Sequence, residues 1–168
     1  MKILGITGHS GSGKTTLLCH LIPLLREKGL KIGAIKATHH DIRWDTPGKD
    51  SYLLQETGAD PVLLQGPQRW YMVRRAVRGD WAALVASLQP PPDLVLSEGN
   101  HEWEIPGIEV YRSALGKPRR CPTHGSTIAI ASDGPMPGIL PVLDLNCPQE
   151  ICEFILHWYG ESRDGRLL

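Results

Sequence analysis

Gly8-His9-Ser10-Gly11-Ser12-Gly13-Lys14-Thr15 satisfies the pattern G-x-x-x-x-G-K-[ST], and the pattern works chemically only where a buried strand turns into a helix. The flanks supply both. Ile3-Leu4-Gly5-Ile6-Thr7 is short, apolar and β-prone, and Leu17, Leu18, Leu21, Leu24 and Leu25 then recur at helical spacing. Glycines at 8, 11 and 13 let backbone N–H groups converge on a phosphate, and the helix N-terminus adds its unpaired N–H groups and positive dipole end. The loop from Gly8 through Ser10 and Ser12 to Thr15 and Thr16 is therefore a nucleoside-triphosphate site. Lys14 would reach the β- and γ-phosphates, and the Thr15 hydroxyl would sit on Mg²⁺.

The remaining chain alternates apolar strands with helices. The first helix is expected from Lys14 to about Lys28, with Gly29 as its left-handed stop and Pro23 inside it. Strands are expected at Leu30–Lys36, Asp93–Gly99, Ile108–Tyr111, Ile128–Ala131 and Val142–Leu145. Pro61–Gln65 and Trp70–Val73, joined by Gly66-Pro67-Gln68, read as a hairpin. Asp50 or Ser51 is expected to cap a short helix, and Asp80 another that carries Trp81, Leu84, Val85 and Leu88. Pro148 opens a final helix through Ile151, Ile155 and Trp158, and residues 160–168 read as a frayed tail. The pattern predicts one α/β domain of the phosphate-loop NTPase type, a mostly parallel sheet with helices on both faces plus the hairpin.

Ligands of such sheets bind at the carboxyl ends of the strands. Four polar segments fall there: the phosphate loop, Thr38–Asp41, Glu98-Gly99 and Ser132-Asp133. Glu98 and Asp41 are the candidate catalytic carboxylates and, with Thr15, the candidate Mg²⁺ partners. His39, His40, Arg43 and Lys49 lie in a long polar loop and are candidates for contact with an anionic substrate. Adjacent histidines in an extended segment point in opposite directions, so His39 and His40 do not read as a zinc pair. Many phosphate-loop GTP-binding proteins place a carboxylate for guanine N1–H and N2–H₂ at the position of Asp133, although their Asn-Lys-x-Asp is here Ile130-Ala131-Ser132-Asp133. The basic run Lys117, Arg119, Arg120 reads as a solvated loop.

Charge and cysteine usage bear on partners. Lys plus Arg (18) equals Asp plus Glu (18), so no global field would hold nucleic acid or an anionic membrane. No apolar run approaches a membrane span, and the short N-terminal run lacks a signal-peptide layout. Cys19, Cys121, Cys147 and Cys152 form no C-x-x-C pair. They are expected to be reduced, with Cys19 and Cys152 as small buried helix thiols, in a cytoplasmic protein. From the residues alone a small-molecule kinase using ATP is the rival reading. Its acceptor lid would have to come from Arg74, Arg75 and Arg78.

The loop Gly8–Thr15, then Lys36-Ala37-Thr38-His39-His40-Asp41, Asp45-Thr46-Pro47-Gly48-Lys49-Asp50-Ser51, Glu98-Gly99 and Ala131-Ser132-Asp133 resemble, in this order, the molybdopterin-guanine dinucleotide biosynthesis protein B family. Ala37 replaces the second residue of that family's Lys-His-Thr-His-His-Asp, and Asn100-His101 its aromatic and lysine after Glu-Gly. The resemblance implies a dimeric GTP-binding accessory protein of molybdenum-cofactor maturation that binds Mg²⁺–GTP and hydrolyses it slowly. It implies assistance to the nucleotidyltransferase that joins GMP to molybdopterin, which makes that transferase, and molybdopterin itself, candidate partners. By residue, it puts Gly11, Gly13, Lys14, Thr15 and Thr16 on phosphates and metal, Asp41 and Glu98 near the γ-phosphate, and Asp133 near the base.

Overall fold

Apolar segments of four to six residues cannot bury themselves alone, and in this chain they pair into one parallel sheet. The computed structural model describes residues 1–38, 40, 42, 45–75, 80–99, 104–120 and 126–161. These fall into two compact units, Met1–Ala37 with Leu88–Leu168, and Thr38–Ser87.

The first unit holds strands β1 (Lys2–Thr7), β2 (Ile32–Lys36), β5 (Leu94–Glu98), β6 (Gly107–Tyr111), β7 (Thr127–Ser132) and β8 (Val142–Asp144), and helices α1 (Lys14–Glu27) and α4 (Pro148–Glu161). The sheet order is β2-β5-β1-β6-β7-β8, and every pair is parallel. β1, which leads into the phosphate loop, is therefore interior, with β5 and β6 on either side. Strand alternation sends Leu4, Ile6, Leu94, Leu96, Ile108, Val110, Ala129 and Ala131 to one face, where they share a core with Leu17, Leu21 and Leu25 of α1 and Ile151 and Ile155 of α4. Each such buried leucine, isoleucine or valine contributes about 1.5–3 kcal/mol. On the opposite face Ile105 covers Gly5. At the sheet's start the Lys2 ammonium lies 5.3 Å from the Trp158 ring and 4.7 Å from that of Tyr159, tying the end of α4 to β1.

α1 ends as expected. Gly29 has φ +87°, the Gly29 N–H donates to Arg26 O (2.9 Å) and the Leu30 N–H to Leu25 O (3.3 Å). Pro23 lies inside α1 without ending it. Cys152 is buried, but Cys19 is exposed on the outer side of α1, contrary to expectation. Its position falls outside the Leu17-Leu21-Leu25 stripe.

The second unit holds α2 (Asp50–Glu56), the hairpin β3 (Val62–Gln65) with β4 (Trp70–Val73), and α3 (Trp81–Ala86). β3 and β4 form their own antiparallel sheet, pairing Val62 with Val73 and Gln65 with Trp70. Neither Asp50 nor Ser51 caps α2. The cap position is Lys49, with no side-chain hydrogen bond, and Asp50 sits in the first turn, where its charge favours the helix dipole. Asp80 does cap α3, its carboxylate accepting from the Ala83 N–H at 3.0 Å. Leu88 is not in that helix, because the Ser87 hydroxyl takes the Leu84 carbonyl (2.6 Å) and closes it. No helix among the described residues is long and apolar enough to cross a membrane.

Candidate nucleotide site

The phosphate loop leaves β1 through three glycines at positive φ: Gly8 (135°), Gly11 (82°) and Gly13 (98°). At Gly8 the requirement is steric as well, since a Cβ would stand 2.4 Å from the Val110 carbonyl oxygen. Gly13 occupies the α1 N-cap without a capping side chain, and no acidic residue stands in the first turn. The positive helix end is thus left for a ligand anion. Lys14 folds back over the loop, its Nζ donating to Gly8 O (3.0 Å) and His9 O (2.8 Å). Burial pulls the Lys14 ammonium below its ordinary value, with Glu98 opposing and Arg120 and Lys36 adding to the fall. One side-chain polar atom among the described residues is buried without a hydrogen-bond partner, and it is Ser12 Oγ in this loop. An orphaned hydroxyl of this kind costs about 1–3 kcal/mol.

Glu98 closes one side. It is the last residue of β5, level with Ile6 of β1 and Lys36 of β2, and is only 8% exposed. The Thr15 hydroxyl lies 2.9 Å from both of its carboxylate oxygens, and Lys36 Nζ lies 3.5 Å from Oε1. The chain leaves β5 through Gly99 at φ +89°, where a Cβ would meet Ala37 O at 2.8 Å. Thr15 and Glu98 together present the hard oxygen donors that Mg²⁺ takes while keeping most of its shell as water. Among the described residues no group of three or more His, Cys, Asp or Glu side chains could hold a metal ion.

The other side is closed by Arg112, just past β6. Its Nε donates to Ser12 O (3.3 Å) and its Nη1 lies 3.8 Å from Asp133 Oδ2. Asp133 Oδ1 accepts the Ser113 N–H (2.9 Å). That amide, with the Arg112 charge assisting, holds the Asp133 carboxyl below the usual carboxylate range. In the run Lys117–Arg120, Lys117, Pro118 and Arg120 are exposed as expected, but Arg119 is half-buried and the run is tethered. Glu109, 1% exposed in β6, accepts from Arg119 Nε (3.2 Å) and from the Arg120 N–H (2.6 Å). His9 Nε2–H donates to the Pro118 carbonyl (2.9 Å), so this basic segment is pinned to the phosphate loop.

The sheet thus brings together the loop, Glu98 and Asp133, as their strand ends predict. Asp41, His39, Arg43 and Arg78 lie outside the described residues. His40 and Lys49 belong to the second unit, where the His40 N–H donates to Thr38 Oγ1 (3.1 Å) and the Lys49 N–H to Thr46 O (3.2 Å). Sequence reasoning gave no role to Lys36 or Arg112. Both stand at or just past a strand's carboxyl end, and applying the strand-end rule to basic residues as well as acidic ones finds them.

A family model described as Molybdopterin guanine dinucleotide synthesis protein B (MobB) matches residues 3–133. The chain belongs to that family. It is 36% identical over 163 residues to the molybdopterin-guanine dinucleotide biosynthesis adapter protein of Escherichia coli (strain K12), covering 94% of this chain and 93% of the relative. The adapter protein of Haemophilus influenzae is also 36% identical, over 169 residues, covering 99% and 94%. Among solved structures, a molybdopterin-guanine biosynthesis protein B superposes with a TM-score of 0.74 at 28% identity, covering 95% of this chain and 99% of the other. Bacillus subtilis MobB, at 23% identity and a TM-score of 0.69 over 94% and 97%, shares the fold.

Proposed function

We propose that this MobB-family chain is a GTP-binding adapter in molybdopterin guanine dinucleotide biosynthesis, assisting the transferase that joins GMP to molybdopterin. The curated relatives carry the adapter role in their names. One observation supports nucleotide binding above the others: the Thr15 hydroxyl on both oxygens of Glu98, beside a phosphate loop whose lysine is folded over its own carbonyls. On binding, Lys14 exchanges the Gly8 and His9 carbonyls for phosphate oxygens, and the ammonium depressed by burial gains anionic partners. The loop amides and the α1 dipole hold the remaining phosphate charge. Bound Mg²⁺ would neutralise charge between the β- and γ-phosphates, with Thr15 and Glu98 the residues that would hold it. Glu98 is already engaged by Thr15 and Lys36, so it is a poor free base for water, and hydrolysis is slow.

In this reading the chain works as a homodimer, and the transferase and molybdopterin are its further partners. Calorimetric titration with GTP and with ATP, each with Mg²⁺, tests it. Wild-type protein is expected to prefer GTP, and Lys14→Ala to show no measurable binding. Wild-type affinity in Lys14→Ala would overturn the phosphate-loop assignment, and preference for ATP would put the small-molecule kinase ahead.

A further inference from the structure

The sheet order fixes the direction in which a bound triphosphate runs. The Thr15–Glu98 contact lies on the β5 side of β1, and marks the end that takes metal and γ-phosphate. The nucleoside end then extends the other way, over β6, β7 and β8. A cavity of about 650 Å³ lies there. It begins at Gly13 and Thr16, passes Arg112, and ends at Asn146, Pro148 and Gln149. Its volume suits a small-molecule site, and so does its make-up, an apolar wall with a few polar groups. Leu17, Pro23, Leu24 and Leu145 form the wall. The turn carrying Asn146 is fixed: the Leu145 N–H donates to Ser132 O (2.9 Å), the Cys147 N–H to Asp144 O (3.0 Å) and the Asn146 N–H to Asp144 Oδ1 (2.8 Å). Asp133 is not among the lining residues, and its carboxylate is turned to the Ser113 amide and Arg112.

We propose that this cavity takes the nucleoside, with the carboxamides of Asn146 and Gln149 reading the guanine edge and Arg112 at the junction of phosphate and ribose. The inference rests on the nucleotide-binding reading above. A carboxamide offers an acceptor and a donor side by side, which complement guanine N1–H and O6. Arg112 has five N–H donors, and its Nη2 stands 3.4 Å from where a Gly13 Cβ would be, beside the path of the α-phosphate. Asp133 is then a positioning residue. It holds Arg112 and the Ser113 backbone and does not pair with the base.

The two roles separate on xanthine, whose 2-oxo group replaces the guanine amino group. A carboxylate that reads N1–H and N2–H₂ switches preference toward xanthosine triphosphate when changed to a carboxamide. Asp133→Asn keeps an acceptor for the Ser113 N–H, and Asn146 and Gln149 are exposed, so these variants fold. Each is titrated with Mg²⁺ and GTP, xanthosine triphosphate or tripolyphosphate. Asn146→Ala with Gln149→Ala is expected to lose GTP affinity by about tenfold to a hundredfold and to bind tripolyphosphate as wild type does. Asp133→Asn is expected to keep the wild-type ratio of GTP to xanthosine triphosphate affinity. A switch to xanthosine triphosphate in Asp133→Asn, or unchanged GTP affinity in the double variant, overturns the inference while leaving the phosphate loop intact. Wild-type protein that binds neither GTP nor tripolyphosphate overturns the nucleotide-binding reading and the inference together.

Discussion

The two compact units place their apolar side chains in opposite ways. In the sheet-bearing unit Leu4, Ile6, Leu21, Leu25, Leu96, Ile108 and Ile155 have no measurable exposure, whereas Val62 and Val85 are the only buried hydrophobic residues between 38 and 87 among those described. That second unit leaves Leu63 61%, Trp70 62% and Leu54 54% exposed, and α2 buries nothing. A two-stranded hairpin is marginal by itself, and exposed apolar faces of this kind mark association surfaces. The difference teaches a division of labour. The candidate nucleotide site stands on strands that a continuous core holds rigid, and the excursion between β2 and β5 presents surface.

Three experiments press on that contrast, in falling order of effect. Leu21→Ala opens the shared core of α1 and the sheet, and is expected to lower unfolding free energy by about 2–5 kcal/mol in urea denaturation. A loss below about 1 kcal/mol would mean that the core is not what makes the site rigid. Leu63→Glu with Trp70→Glu charges one face of the hairpin, where Leu63 pairs with Met72 and Gln65 with Trp70. If the proposed homodimer forms through this face, light scattering is expected to fall from two chains in the wild type to one in the variant, with GTP affinity changed less than about twofold. Loss of GTP binding in that variant would dissolve the distinction between the units. The smallest effect is a pH dependence. Free Lys14 sits below 10.5 because its ammonium is partly buried. A bound anion restores the proton, so GTP affinity falls as pH rises through the lowered value. Binding there takes up less than one proton, read as the difference in heat between two buffers of unlike protonation enthalpy.

Most of the fold was legible because its signals are local. The loop glycines, the leucine stripe of α1 and the apolar runs of the strands each state their own structure. So does the hairpin, whose two runs are separated by Gly66-Pro67-Gln68. What the sequence leaves unread is mostly not local. The partners that tether the basic run lie on Glu109, ten and eleven residues back, and no local pattern carries that pairing. Asp133 was legible as a strand-end carboxylate, but its engagement by Ser113 and Arg112 depends on how β6 and β7 pair. For Cys19 residue type points to the interior, and the phase of the helix puts it outside.

The interior position of β1 has a consequence for how the protein is made. Leu4 lies opposite Leu96, and Ile6 opposite Ile108. Synthesis proceeds from the N-terminus, and contacts this distant along the chain close slowly. The loop residues therefore leave the ribosome before either strand that flanks β1, and gain their surroundings only after both. A nascent chain that stops before Leu94 contains the whole phosphate-loop motif and has neither neighbouring strand to support it. Until β5 and β6 emerge, the apolar segment Ile3–Ile6 is a strand without a sheet, and the interval before the loop gains its support is set by translation as far as Tyr111.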